Sequence, residues 1–175
     1  HRLSPVDART NAHTMGNKPA AASLLVPEPA PILVHGTEGT AVQYSNCCYP
    51  LPGDMVIGHL RGGHGLILHR ADSESAVRQR ARDAERWVEI EWADDIKGLH
   101  RCGVELQVTD ERGVLAKVAA ELAASEANIV HVANEDEDQG TASLRFVVQV
   151  RDRVQLAQVI RNLRRLPEVR RVNRA

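Results

Sequence analysis

Between residues 104 and 172 the spacing of apolar residues switches repeatedly between two and about 3.6, and this confines the fold more tightly than any other feature. Val104, Leu106 and Val108 alternate with Glu105, Gln107 and Thr109, which predicts a strand. Val114, Leu115, Val118, Ala119 and Leu122 then fall on one helical face. Ile129 to Val132 reads as a second strand, and the acidic run Glu135-Asp136-Glu137-Asp138 leads to Gly140 as a hairpin turn. Leu144, Phe146, Val148 and Val150 mark a third strand. Asp152 with Gln155 has the spacing of a capping box. Leu156, Val159, Ile160, Leu163 and Leu166 form the stripe of a second helix, and Pro167 follows where it should stop. A last short strand around Val169 to Val172 completes the order βαββαβ.

That order packs helices on one face of an antiparallel sheet, a ferredoxin-like layer over residues 99–175. Upstream, Ala41–Tyr44, Met55–Ile57 and Leu66–Leu68 read as strands joined by tight turns. Ser75 to Arg86 looks helical, and Trp87–Trp92 alternates as a half-buried strand should. Asp94–Gly98 is a hinge. Five of the eight prolines precede residue 32, and Pro27-Glu28-Pro29-Ala30-Pro31 removes amide donors and disfavours helix. The expected organisation is therefore a linker over 1–35, a small β-rich module over 36–98, and the βαββαβ domain over 99–175. The fold class is α+β.

The 22 Lys and Arg against 23 Asp and Glu sum to −1, which excludes a uniformly basic nucleic-acid binder. The sum hides asymmetry: residues 1–98 carry −2, residues 99–175 carry +1, and residues 151–175 alone carry +6. Arg161, Arg164, Arg165, Arg170 and Arg171 are the candidate phosphate contacts of that basic arm; a solvated helix face is the alternative. Aromatics are confined to Tyr44, Tyr49, Trp87, Trp92 and Phe146. An RNA-recognition sheet shares the βαββαβ order but stacks bases on aromatics of its first and third strands. Only Phe146 occupies such a strand, so that reading fails. Three cysteines make no disulfide framework and suit a reducing cytoplasm. No apolar run has the length of a membrane span, and the first 20 residues lack the apolar stretch of a signal peptide.

Cys47-Cys48 can both point at a metal after a sharp bend, and His59, His64 and His69 follow within a Gly-rich stretch. Structural zinc takes four closed ligands, usually from more widely spaced cysteines, so reduced thiols remain the competing account. A cysteine nucleophile with a histidine base is a further alternative. The glycines match neither a Walker loop nor a dinucleotide fingerprint. In Asp110-Glu111-Arg112-Gly113-Val114-Leu115, a strand end meets a helix start whose amides can hold a carboxylate. Equally, Asp110 can cap the helix while Gly113 eases the turn.

Cys47-Cys48-Tyr49-Pro50-Leu51-Pro52-Gly53-Asp54 and Gly63-His64-Gly65-Leu66-Ile67-Leu68-His69 resemble a signature of long RelA/SpoT-type alarmone enzymes. The signature sits in their C-terminal regulatory half, in the zinc-finger or ribosome-intersubunit module. Residues 99–175 resemble the ACT domain that ends those proteins. Arg151-Asp152-Arg153-Val154-Gln155-Leu156 and Leu166-Pro167-Glu168-Val169 look most like the bifunctional SpoT branch. The resemblance covers residues 34–175.

The family makes and degrades (p)ppGpp in N-terminal hydrolase and synthetase domains. The resemblance therefore implies a regulatory chain, without catalysis of its own, that senses ribosome or metabolite state for those domains. It implies metal-type ligands at Cys47, Cys48, His69 and a fourth position held here by Ser73, a poor zinc ligand. No cofactor is accordingly expected, with zinc as the alternative. It implies an amino-acid effector at Asp110, Arg112, Gly113, Val114 and Leu115, where Glu111 replaces a more usual basic residue. Implied partners are the catalytic domains, the ribosome or its RNA, an amino acid and a second ACT domain in a homodimer, with no membrane. Two rivals stand beside this: a thiol- or metal-dependent hydrolase using Cys47 or Cys48 with His69, and a purely structural dimerisation module.

Overall fold

The computed structural model describes residues 30–136 and 139–175. Residues 1–29 of the expected linker, and Glu137-Asp138 of the acidic run, lie outside the described residues. Where the N-terminal proline cluster ends at Pro31, Ile32-Leu33-Val34 forms β1, inside the stretch expected to be linker. The reason is burial: Val34 is wholly enclosed, and β1 pairs in parallel with the strand Trp87–Trp92. A short apolar run next to a proline cluster gives no local sign of such a distant partner.

Residues 31–175 form one unit containing two sheets. The first holds β1, β2 (Val42–Tyr44), β3 (Val56–Arg61), β4 (Gly65–Arg70) and β5 (Trp87–Trp92), in the order β1-β5-β3-β4-β2. β3 and β4 form an antiparallel hairpin with Leu60 opposite Leu66, while β2 runs parallel to β4. Helix α1 (Glu74–Arg82) precedes β5 and is capped by Ser73, whose hydroxyl accepts from the Ala76 amide at 3.2 Å. The expected helix to Arg86 thus ends at Arg82, and Ala84–Arg86 is a separate single turn. Val34, Leu66, Leu68 and Ile90 form this module's small core.

The second sheet has the order β7-β8-β6-β9, built from β6 (His100–Thr109), β7 (Asn128–Asp136), β8 (Thr141–Val150) and β9 (Val169–Arg174). All its pairings are antiparallel. With α2 (Val114–Ala124) and α3 (Arg153–Arg164) it realises the βαββαβ order. Val104, Leu106, Phe146 and Val148 pack with Val118, Leu122, Val159 and Leu163 in one largely aliphatic core. The Asp152 carboxylate accepts from the Gln155 amide at 2.8 Å, as the capping spacing requires. The reciprocal arm differs: the Gln155 side chain accepts from Arg151, one residue before the cap. The molecule is α+β, a small β-rich module followed by a ferredoxin-like layer.

Leu51 crosses from one module to the other. Although it lies in the Pro-Leu-Pro turn before β3, it is fully buried in the core of the second sheet and its helices. Among the described residues no helix is long and apolar enough to cross a membrane.

Candidate functional site

Cys47 and Cys48 occupy a turn closed by the Tyr49 amide donating to the Ser45 carbonyl at 2.9 Å. Tyr49 takes a left-handed backbone with φ 46°, which folds the chain back on itself. His69 faces this turn from β4. Cys47 Sγ lies 3.4 Å from His69 Nδ1, and ligand atoms of Cys47, Cys48 and His69 all lie within 4.8 Å of one another. The three residues singled out from sequence therefore do converge. Trp87 packs on the His69 ring with centroids 5.3 Å apart, holding the imidazole in place.

Burial shapes the electrostatics of this cluster. It lowers the His69 pKa, helped by the nearby His59 and Arg61 charges. It raises that of the Cys48 thiol, against the Arg70 amide donating to Cys48 Sγ. Ser73 also reaches the Cys48 sulfur, so the fourth family position is at the cluster. Two thiolates and an imidazole suit a soft divalent cation such as zinc. The fourth corner is a hydroxyl already engaged in capping α1, so a closed structural ligand set is incomplete. As a catalytic dyad the pair is badly tuned, because a thiolate–imidazolium couple needs a readily protonated histidine and burial opposes that.

The turn at 110–115 differs from one of its two readings. Asp110 does not cap α2; the N-cap is Gly113, with φ 85°, and no side chain supplies a cap bond. Asp110 instead donates its amide to the Gly140 carbonyl at 2.8 Å, tying this turn to the β7–β8 hairpin. Asp110, Glu111 and Arg112 are exposed, Val114 is buried in the core and Leu115 is partly open. Among the described residues the first amides of α2 thus have no side-chain acceptor.

Arg161, Arg164, Arg165, Arg170 and Arg171 are all exposed. None forms an ion pair with an acid among the described residues. The first three cluster at the C-terminal end of α3. Arg171 lies opposite Gln107 on β6, and a register shift between Gln107 and Val108 leaves Arg170 as the extra residue of a bulge. The bulge explains how two successive strand residues both reach solvent.

Sequence reasoning missed the centre of the molecule. Asp54 is buried and accepts from Leu51 N at 2.7 Å and from both terminal nitrogens of Arg174 at 2.8 and 2.5 Å. Burial would lower the Arg174 pKa, but the Asp54 carboxylate more than offsets it and the value is raised. Arg174 also donates to the Tyr49 carbonyl at 3.0 Å, and the Trp92 indole donates to the Asp54 carbonyl at 2.9 Å. The Arg153 amide donates to the Pro52 carbonyl at 2.9 Å. Gly53 makes that approach feasible, since a Cβ there would stand 3.2 Å from the Arg153 Cβ. His100, at the start of β6, packs against Tyr44 and the edge of Trp92, with centroids 5.0 and 6.4 Å away, and Tyr44 and Trp92 stack on each other at 6.1 Å. The Cys47–Asp54 motif is thus both metal-type turn and seam between modules.

Comparison with known proteins agrees with this division. The RelA/SpoT RIS domain family matches residues 32–93, and an ACT domain family matches residues 97–174. The chain is 28% identical over 141 residues to the bifunctional (p)ppGpp synthase/hydrolase SpoT of Escherichia coli K12, covering 81% of this chain and 20% of that protein. It is 27% identical over 139 residues to the GTP pyrophosphokinase of the same strain, covering 79% and 19%. Among solved structures, the ACT domain from GTP pyrophosphokinase of Chlorobium tepidum aligns with TM-score 0.40 and 18% identity, over 45% of this chain and 100% of that one. The chain spans about a fifth of the length of the curated relatives it matches. With a RIS domain leading directly into an ACT domain, the chain matches the C-terminal regulatory region of RelA/SpoT proteins.

Proposed function

We propose that this chain is the sensing end of a bifunctional (p)ppGpp synthetase/hydrolase in the cytoplasm, biasing catalytic domains of the kind its relatives carry. The observation that carries the reading is the seam. Leu51, Asp54 and Arg174 weld the metal-type turn of the RIS module into the ACT core, so a load on either module strains the other. A relay needs two conformations that a ligand binds unequally, and a shared core is a means of coupling them.

Three surfaces supply the inputs. The exposed Arg161, Arg164, Arg165, Arg170 and Arg171 face ribosomal RNA phosphates. The uncapped α2 turn, from Asp110 and Arg112 through Gly113, Val114 and Leu115, takes the carboxylate of an amino acid, with a second ACT domain pairing alongside. Cys47, Cys48 and His69 are the residues that would hold a zinc ion, which would stiffen the turn. The hydrolase alternative lacks comparable support, because the relatives' names attach to proteins about five times longer than the matched region.

Charge reversal at Arg164 and Arg165 tests the ribosome input. Removing the contacts is expected to weaken co-sedimentation with ribosomes and flatten its salt dependence, by roughly one unit of log-log slope per lost phosphate contact. Unchanged co-sedimentation removes the RNA surface. Hydrolysis of alarmone or ester by the chain alone, lost in Cys47→Ala, would replace the regulatory reading with the enzymatic one.

A further inference from the structure

Asp54 and Arg174 also line a cavity of about 580 Å³ walled by both modules. That volume lies within the range of roughly 300–1,000 Å³ that encloses small ligands. From the RIS side come Met55, Arg70 and Asp72; from the ACT side, Arg153, Leu156 and Ile160.

The charges in this lining do not balance. Three guanidinium groups face two carboxylates, and Asp54 is taken by Arg174, by the Leu51 amide and, in a looser ion pair at 3.7 Å, by Arg153. Asp72 is exposed to solvent, so its charge is screened by water. Arg70 is half-buried at the end of β4, yet its side chain makes no hydrogen bond or ion pair among the described residues. Its Nε is closed off from solvent without a partner, as is Nε of Arg174. The terminal nitrogens of Arg70 are not closed off, line the cavity and have no acceptor among the described residues, so an anion entering from solvent would gain charge-assisted hydrogen bonds there. The rest of the lining is apolar. Met55 is 84% exposed, and Leu156 and Ile160 of α3 line the same cavity.

We propose that this cavity binds a small organic anion, with a carboxylate on Arg70 and a short apolar body against Met55, Leu156 and Ile160. One uncompensated positive charge fits a monoanion better than a phosphate dianion. A zwitterion gains little, because the one buried carboxylate is already spent on Arg174. The site is separate from the α2 turn and from the basic end of α3. Because its walls come from both modules, an occupant stabilises their docked arrangement over a separated one. The inference does not rest on the regulatory reading, since binding is measured on the chain itself.

The test is calorimetric titration of the whole chain with sodium hexanoate and, in parallel, inorganic phosphate. Hexanoate is expected to bind more tightly than phosphate and to raise the melting temperature. Arg70→Gln should weaken hexanoate binding at least about tenfold, the loss of one charge-assisted hydrogen bond. Met55→Asp places a negative charge at an exposed position of the lining and should weaken it similarly; this variant decides the matter alone if Arg70→Gln fails to fold. Circular dichroism and melting without ligand establish that each variant is folded. Absence of hexanoate binding, binding unchanged in folded variants, or phosphate binding as tight as hexanoate would each overturn the proposal.

Discussion

Ser73 stands at the corner of the Cys47–Cys48–His69 cluster with its hydroxyl committed twice, to the α1 cap and to the Cys48 sulfur. Replacing it by cysteine should close a Cys3His set of the kind that holds structural zinc. Ser73→Cys is expected to keep stoichiometric zinc through dialysis against a chelator, measured by elemental analysis, while the parent chain loses it. The substitution removes a helix cap worth about 1 kcal/mol, so the zinc-free variant should melt lower than the parent and the loaded one higher. Equal retention by both proteins would place residue 73 outside the ligand set. The cluster was legible because cysteine and histidine are rare and chemically distinctive. Asp54 and Arg174 were not: they are 120 positions apart, and nothing local to either marks its partner. Cys102, the third cysteine, is sealed in the core, where burial pushes its thiol up to about 12.

Elements whose burial is one-sided were readable, because period and face coincide. β5 and the apolar stripes of α2 and α3 follow the apolar spacing almost residue for residue. Failures came where a partner, rather than a pattern, makes the element. β6 begins at His100, ahead of its alternating run, because its first residues pair with the end of β8, placing His100 opposite Val150. β1 exists through β5, and the parallel pairing of β2 with β4 is invisible to any local window. At helix starts the outcome depended on chemistry: Asp152 caps α3 as its spacing demands, whereas Gly113 displaces Asp110 at α2. Asp152→Ala should therefore cost about 0.5–2 kcal/mol in urea unfolding, and Asp110→Ala close to nothing. A comparable loss in Asp110→Ala would contradict the capping geometry described for α2.

At the scale of the molecule, the question is whether two sheets with separate cores behave as one cooperative body. The RIS core is only a handful of aliphatic residues, too few to be strongly stable alone, whereas the ACT core is extensive. The seam lends stability from the second to the first. Its polar centre is a bidentate ion pair in which the Asp54 side chain is 6% and the Arg174 side chain 15% exposed. Removing one member leaves the other charge buried without compensation, a loss of about 3–5 kcal/mol. Asp54→Ala also strips the Leu51 amide of its acceptor, and Leu51 is the residue that plugs the RIS turn into the ACT core. The parent chain should unfold in a single transition seen identically by tryptophan fluorescence, which reports the RIS module through Trp87 and Trp92, and by far-UV circular dichroism, which reports both. In Asp54→Ala the fluorescence transition should move to lower denaturant and separate from the dichroism transition. Both probes shifting together by less than about 1 kcal/mol, a surface-pair effect, would mean that the seam is a contact and not a coupling.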